Sequence, residues 1–304
     1  MSDRFPPFSI SQITTLNSSF AADVAAYRAA GADAIGVWEL KLADGDDATA
    51  LEQLEASGLG SAAAVPSIPS ILPLPLMDGP EDPHERVEAI CASLHRLAPF
   101  HPTGVVCLTG PAQSLDLDEA RDAVVSGLRT IGEEAASLGL RVGLEPVNPV
   151  GGEDWTIVST IPAAVELLVE AARPALGIQF DTWHLCTSET VLDDIEREHE
   201  RFVGVHVADW REPTRTWADR VLPGDGSADL ASLLGALDAV GWSGYYDLEI
   251  FSDNGAFGNP WPDSLWDLPA DELARRGKEA FDRAFRARTL HEVITTGRST
   301  NETG

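Results

Sequence analysis

The sequence predicts an α/β protein, a single (β/α)8 TIM barrel with its active site at the C-terminal ends of the strands. Three observations predict it. Short β-branched or apolar runs alternate with longer amphipathic, Ala/Leu-rich runs along the whole chain, the pattern of parallel strands joined by crossover helices. The strand-like runs number eight, and eight βα units in about 290 residues suit a closed barrel better than an open, doubly wound sheet. No G-x-G-x-x-G follows the first run, so the main sign of a dinucleotide-binding sheet is missing.

Taken in order, strand Phe8–Leu16 leads to helix Ser19–Ala30, Ala34–Leu40 to Ala48–Ser57, Ser61–Ser67 to Asp82–Ala98, and Gly104–Thr109 to Leu117–Leu138. The second half repeats the unit: Arg141–Val147 with Ile161–Ala172, Leu176–Phe180 with Val191–Glu200, Phe202–Ala208 with Leu230–Val240, and Tyr245–Phe251 with Ala270–Ile294. Asp82-Pro83 reads as a helix start, and Gly31, Gly58, Gly139 and Gly241 stand where helices should stop. The long connections Ala43–Asp47, Ile68–Glu81, Asn148–Thr160, Asp209–Ala228 and Ser252–Pro269 all follow strands, so a barrel opens them onto the face that carries active sites. No composition break marks a second domain. One barrel over residues 1–296 is expected, with a polar, frayed tail at Gly297–Gly304.

Composition narrows the function. Against 49 Asp+Glu stand 21 Lys+Arg, a formal charge of −28 that repels phosphate backbones and anionic lipid, so neither nucleic acid nor a membrane is an expected partner. Three widely spaced cysteines form no disulfide framework and no CxxC. The N-terminal Met-Ser-Asp-Arg-Phe-Pro-Pro is no signal sequence, which points to a soluble, unprocessed, cytoplasmic protein. Lys41 and Lys278 are the only lysines, which weighs against Schiff-base catalysis.

Four successive strands end in ionisable residues: Glu145 in GLEPVNP, Asp181 with His184 in FDTWHL, His206 in GVHVADW and Glu249 in DLEIF. Such groups in apolar strands are costly unless paired or metal-bound, and one explanation serves all four. Glu145, Asp181, His206 and Glu249 suit one divalent ion, Mn²⁺ first, with Mg²⁺, Co²⁺ or Zn²⁺ as alternatives. Of the seven histidines only His184 and His206 fall at strand ends. Glu39, in GVWELKL, is read either as a hydrogen-bond partner of a sugar hydroxyl or as a loop carboxylate paired with Lys41. Trp38, Trp183, Trp210, Trp217, Trp261 and Trp266 lie at or beyond strand ends, where rings suit the C–H faces of a sugar or pack the core. Asp209 and Arg211 are read as orienting the His206 ligand or the loop. The apolar segment GAFGNPWPDSLWDLP is read as closing over the pocket or docking on another subunit.

On GLEPVNP, FDTWHL, GVHVADW, ADRVLPGDGSADL and DLEIFSD, in this order, the chain resembles the xylose isomerase-like TIM-barrel superfamily of sugar isomerases and epimerases. Its closest likeness there is to inosose (2-keto-myo-inositol) isomerase. The resemblance implies that Glu145, Asp181, His206 and Glu249 are the metal ligands, that His184 and Arg220 contact substrate, and that the protein is a dimer or tetramer.

The residue types support the same chemistry. Moving a proton between carbons of a hydroxy-ketone passes through an enediolate, which a chelating ion stabilises while carboxylates act as base and acid. Glu145 and Glu249 are the candidates, with Trp38 and Glu39 lining the substrate. The leading expectation is an isomerase or epimerase of an unphosphorylated sugar, keto-sugar or cyclitol. The alternative is a lyase on the same scaffold, like inosose dehydratase or the C-glycoside deglycosidases that act on 3-oxo-glycosides, which would bring a hetero-subunit. A phosphosugar is disfavoured because the PGDGS turn carries Asp225 instead of a basic nest. The endonuclease IV branch is disfavoured by charge and by the lack of histidines ending strands two to four.

Overall fold

The computed structural model describes residues 5–75, 77–150 and 155–299, the last eleven of these by backbone alone. Strands β1 (Phe8–Ser11), β2 (Ala34–Trp38), β3 (Gly60–Val65), β4 (Gly104–Cys107), β5 (Val142–Leu144), β6 (Leu176–Asp181) and β7 (Phe202–Val207) lie side by side in chain order. A two-stranded antiparallel ribbon follows, β8 (Asp209–Trp210) with β9 (Arg220–Val221). Strand β10 (Tyr246–Leu248) then pairs with β7 on one side and β1 on the other, Phe8 opposite Tyr246, and closes an eight-stranded parallel barrel. The fold is the (β/α)8 barrel that the alternation predicts.

The helices form where periodicity and caps agree. Phe20–Ala30 starts at Ser19, whose hydroxyl accepts the Ala22 N–H, and stops at Gly31, whose φ of 81° suits a residue without Cβ. Pro83–Leu97 starts at Asp82 with Pro in its first turn, and Leu117–Ser137 carries a reciprocal Asp116/Glu119 capping box. Helix and strand ends otherwise differ from the sequence reading by a few residues.

Two differences matter for the site. The expected first strand, Phe8–Leu16, stops at Ser11 and turns into a 3-10 segment at Gln12–Thr15. Polar side chains force the turn. The Gln12 amide donates to Asp23 Oδ2 and accepts from the Trp38 N–H, while Thr14 bonds the backbone of Leu248 and Ile250. The connection expected at Asp209–Ala228 contains the β8–β9 ribbon, which carries Arg220 inward. The final helix runs Ala270–Ser299, three residues into the expected tail; residues 300–304, and 151–154 of the Asn148–Thr160 connection, lie outside the described residues.

The main core joins the barrel to its helices, with Phe8, Tyr27, Phe180, Tyr246 and Phe281 fully buried. A second cluster, Ile13, Trp38, Ala63, Val65, Val106 and Trp266, packs under the barrel mouth. Cys91, Cys107 and Cys186 are free thiols. Among the described residues no helix is long and apolar enough to cross a membrane.

Candidate metal centre and active site

The four expected ligands converge at the mouth of the barrel. Glu145 follows β5, its N–H bonded to the Cys107 carbonyl at 3.0 Å. Asp181 ends β6, and its Oδ1 accepts the Trp183 N–H at 2.8 Å, so the same carboxylate starts the short helix Thr182–Leu185. His206 stands in β7, in register with Asp181 on one side and Asp247 on the other. Glu249 follows β10, its N–H bonded to the Val207 carbonyl at 3.1 Å. One ligand atom from each lies within 4.8 Å of those of the other three, and all four side chains are buried.

This clustering is electrostatically expensive, and the ionisation of each group shows how the cost is distributed. Burial pushes Glu145 up to about 7, only partly opposed by His206. Burial also works against ionised Asp181 and Glu249. In Asp181 the Arg220 guanidinium and the two histidines outweigh it, and in Glu249 His206 and Arg220 do so, holding both below the usual carboxylate range. Burial opposes protonation of His206, yet Glu249 and Glu145 raise it well above an ordinary imidazole. Its Nδ1 faces both glutamates, 3.4 Å from Glu145 Oε1 and 3.3 Å from Glu249 Oε2.

A divalent ion fits this set on two counts. Glu145 Oε1 and both His206 ring nitrogens are buried without a hydrogen-bond partner among the described residues, a state that proteins rarely leave unanswered. Three carboxylate oxygens and one imidazole nitrogen are also the donors that Mn²⁺, Mg²⁺, Co²⁺ or Zn²⁺ accept.

Arg220 and His184 stand beside the four converging side chains. Arg220 Nη1 donates to Asp181 Oδ2 at 2.8 Å and to Glu249 Oε2 at 3.1 Å, and the guanidinium is sandwiched between the rings of Trp183 and Phe251, at 4.9 and 4.8 Å from their centroids. The His184 Nδ1 accepts the Asn148 N–H at 3.1 Å and its Nε2 lies 3.2 Å from Arg220 Nη2. Burial pushes His184 down to about 4, so near neutrality the ring is uncharged.

A cavity of about 290 Å³ opens above, lined at its polar end by Glu145, Asn148, His184, Arg220 and Glu249. Trp38 and Trp217 line it as well, whereas Glu39 does not. Both sequence readings of Glu39 give way to a third. Its Oε2 accepts the Ser67 N–H at 2.8 Å and the Ser93 hydroxyl at 2.6 Å, and its Oε1 lies 3.4 Å from Arg96. Lys41 instead pairs with Asp23 at 3.1 Å. Asp209 serves the loop: its carboxylate accepts the N–H groups of Trp210, Gly224, Gly226 and Ala228. Arg211 likewise holds the rim, through Asp219 and Asp263. Trp183 and Trp266 are buried beneath, Trp210 packs on Trp183, and Trp261 lies under Arg215. Phe257, from the apolar segment after β10, lines the cavity.

Two participants escape the sequence reading. Asp247 is buried below His206, its Oδ2 3.9 Å from Nε2, and burial pushes it up to about 7. The signal for it is the strand period of two, which puts Asp247 on the same face as Glu249. Trp155, which also lines the cavity, lies inside a connection with no periodicity to mark it.

Comparison with known proteins follows the same lines. A 3-dehydroshikimate dehydratase of Pseudomonas putida is 29% identical over 161 residues, 49% of this chain and 23% of that protein. An inosose isomerase of Bacillus licheniformis is 23% identical over 171 residues, 55% of this chain and 56% of that one, and a ketose 3-epimerase of Arthrobacter globiformis is 29% identical, covering 47% and 45%. The chain thus spans about half the length, or less, of these relatives. Among solved structures, protein SMc04130 of Sinorhizobium meliloti superposes with a TM-score of 0.79 at 25% identity, covering 91% of this chain and 98% of that one. An IOLI protein with a bound zinc atom superposes at 0.75 and 19% identity, covering 92% and 98%. The family model described as xylose isomerase-like TIM barrel matches residues 24–284. The chain belongs to the xylose isomerase-like TIM barrel family.

Proposed function

We propose that the protein is a divalent-metal-dependent isomerase or epimerase that moves a proton at the carbon beside the carbonyl of an unphosphorylated sugar, keto-sugar or cyclitol. The observation that carries this reading is the convergence of Glu145, Asp181, His206 and Glu249 within 4.8 Å of one another beside a cavity that Glu145 and Glu249 line together with His184 and Arg220. The inosose isomerase and ketose 3-epimerase relatives support it.

The four side chains would hold the ion, which supplies Lewis-acid stabilisation of negative charge on the substrate's oxygens. Glu249, kept ionised by His206 and Arg220, takes the proton from carbon. Glu145, the other glutamate lining the cavity, returns a proton to carbon. Asp247, behind the His206 Nε2, orients the imidazole. Neutral His184 and cationic Arg220 face the cavity as hydrogen-bonding groups for a hydroxyl or carbonyl oxygen.

The test is incubation with Mn²⁺ and a panel of ketoses and inososes in D₂O. Deuterium should enter the carbon beside the carbonyl, and Glu249→Gln should slow that uptake by about 10²–10⁴-fold with an unchanged circular dichroism spectrum. Undiminished uptake by the variant, or by chelated enzyme, overturns the proposal. The dehydratase relative favours a second reading, elimination from the same carbanion, and release of water or an aglycone would select it.

A further inference from the structure

Beneath the four converging side chains, strands β1, β2, β6, β7 and β10 bring polar groups and glycines into the barrel interior, a position that bulky branched side chains ordinarily fill. Ser9, Asp247 and His206 lie in register on the neighbouring strands β1, β10 and β7, and all three are buried. Gln179 stands two residues before Asp181 on β6, so it faces the same interior one step below that carboxylate. Two glycines leave space for these side chains. A Cβ on Gly36 would strike Asp247 Oδ2, and one on Gly204 would strike the Gln179 amide. Gly204 is two residues before His206, so the Gln179 amide lies one step below the imidazole along β7.

The polar atoms of this layer do not satisfy one another. Both oxygens of Asp247, Ser9 Oγ, Gln179 Nε2 and His206 Nε2 are buried without a hydrogen-bond partner among the described residues. Asp247 Oδ2 and His206 Nε2 stand 3.9 Å apart, too far for a direct hydrogen bond and within the span of one bridging water. The Gln179 amide nitrogen can only donate, and so can His206 Nε2 when Nδ1 is the atom offered to an ion, while Asp247 accepts and the Ser9 hydroxyl does either. Water both donates and accepts, and buried waters typically make about three hydrogen bonds each to groups left over in this way. A cation beside Asp247 would meet the N–H groups of Gln179 and His206, whose positive ends repel it.

We infer that the barrel interior holds a site for ordered water that joins Asp247 to His206 Nε2, Gln179 and Ser9, and that this water seats the imidazole with Nδ1 turned toward the ion. Gln179 and Ser9 are then positioning residues that act on the ion through His206. Only this second half rests on the ion-binding reading. High-resolution crystal structures of the metal-free and Mn²⁺-loaded protein should show solvent within hydrogen-bond distance of both Asp247 and His206 Nε2. Ser9→Ala and Gln179→Met, made separately so that one misfolded variant leaves the other, should each weaken Mn²⁺ binding by about 2–10-fold in titration calorimetry, the equivalent of one hydrogen bond. Ion affinity is the discriminating readout, because a purely structural loss lowers the melting temperature in EDTA and leaves the Mn²⁺ dissociation constant as in the parent. A direct Asp247–His206 bond without solvent, or a cation bound at Asp247, overturns the inference, and so do parent-like Mn²⁺ constants in both folded variants. Ordered solvent at Asp247 in a parent protein that takes up no Mn²⁺ leaves the water site standing and removes the ion-binding reading, and with it the positioning role.

Discussion

Replacing Arg220 by Met probes the charge balance of the site directly. The guanidinium is 3% exposed and donates to Asp181 and Glu249, so Arg220→Met keeps much of the aliphatic bulk and leaves two buried carboxylates without their shared cation. Removing one partner of a buried ion pair costs about 3–5 kcal/mol. With an unfolding entropy of about 2.1 cal/mol/K per residue, 304 residues give about 0.64 kcal/mol/K, so the variant should melt about 5–8 °C below the parent in EDTA. A divalent ion returns positive charge to the same carboxylates and should recover part of that loss. Thermodynamic linkage then sets a second observable. If the ion-loaded variant is destabilised by about 2 kcal/mol less than the chelated one, its affinity for the ion must be about thirtyfold higher. Scanning calorimetry with and without Mn²⁺, and titration calorimetry of Mn²⁺ into both proteins, read the two quantities. Equal melting shifts in both conditions, or weaker Mn²⁺ binding by the variant, would refute the account, because Arg220 would then not share its partners with the ion.

Two further outcomes follow from the same geometry. Burial raises Glu145 from an ordinary 4.5 to about 7, so the folded chain holds this proton more tightly than the unfolded one. That contribution to stability is complete below about pH 4.5 and is lost as the pH rises through about 7. In EDTA, Glu145→Gln should therefore gain on the parent in melting temperature between these limits, and a gap that stays flat with pH speaks against a buried, proton-retaining Glu145. Asp209→Ala strands four backbone N–H groups at about 1–3 kcal/mol for each that stays buried. Limited proteolysis should then cut within residues 222–228, and an unchanged digestion pattern would show that the loop does not depend on Asp209.

The barrel and its four converging side chains were legible because each leaves a mark in local sequence. Burial on both faces makes β2, β5, β6 and β7 nearly continuous apolar runs, against which Glu145, Asp181 and His206 stand out, as Glu249 does between Leu248 and Ile250. Glu39 left the same mark and meant something else. Its partners Ser93 and Arg96 come from a helix more than 50 residues away, and no local pattern reports a contact across that distance. The 3-10 turn after β1 was hidden for a related reason: Gln12 and Thr14 read as strand until the distant Trp38, Leu248 and Ile250 claim their side chains. The β8–β9 ribbon, two residues on each side, is too short for any period to reveal.

The apparently inconsistent ionisation of four neighbouring carboxylates follows from how few cations reach them. Arg220 touches Asp181 and Glu249, and these two are held ionised; it makes no hydrogen bond to Glu145 or Asp247, and burial raises both to about 7. His206 stands between the two sets, with Nδ1 toward the glutamates and Nε2 toward Asp247, and cannot neutralise both. The mouth of the barrel thus carries more negative than positive charge at neutral pH, and protonation of Glu145 and Asp247 is how the ion-free chain contains that excess. A divalent ion does the same without the protons, so loading should release protons, more of them near pH 6 than near pH 8, where Glu145 and Asp247 have already lost theirs. Titration of Mn²⁺ in two buffers of different ionisation enthalpy measures that count, and a count independent of pH would mean that the raised carboxylates are not linked to the ion.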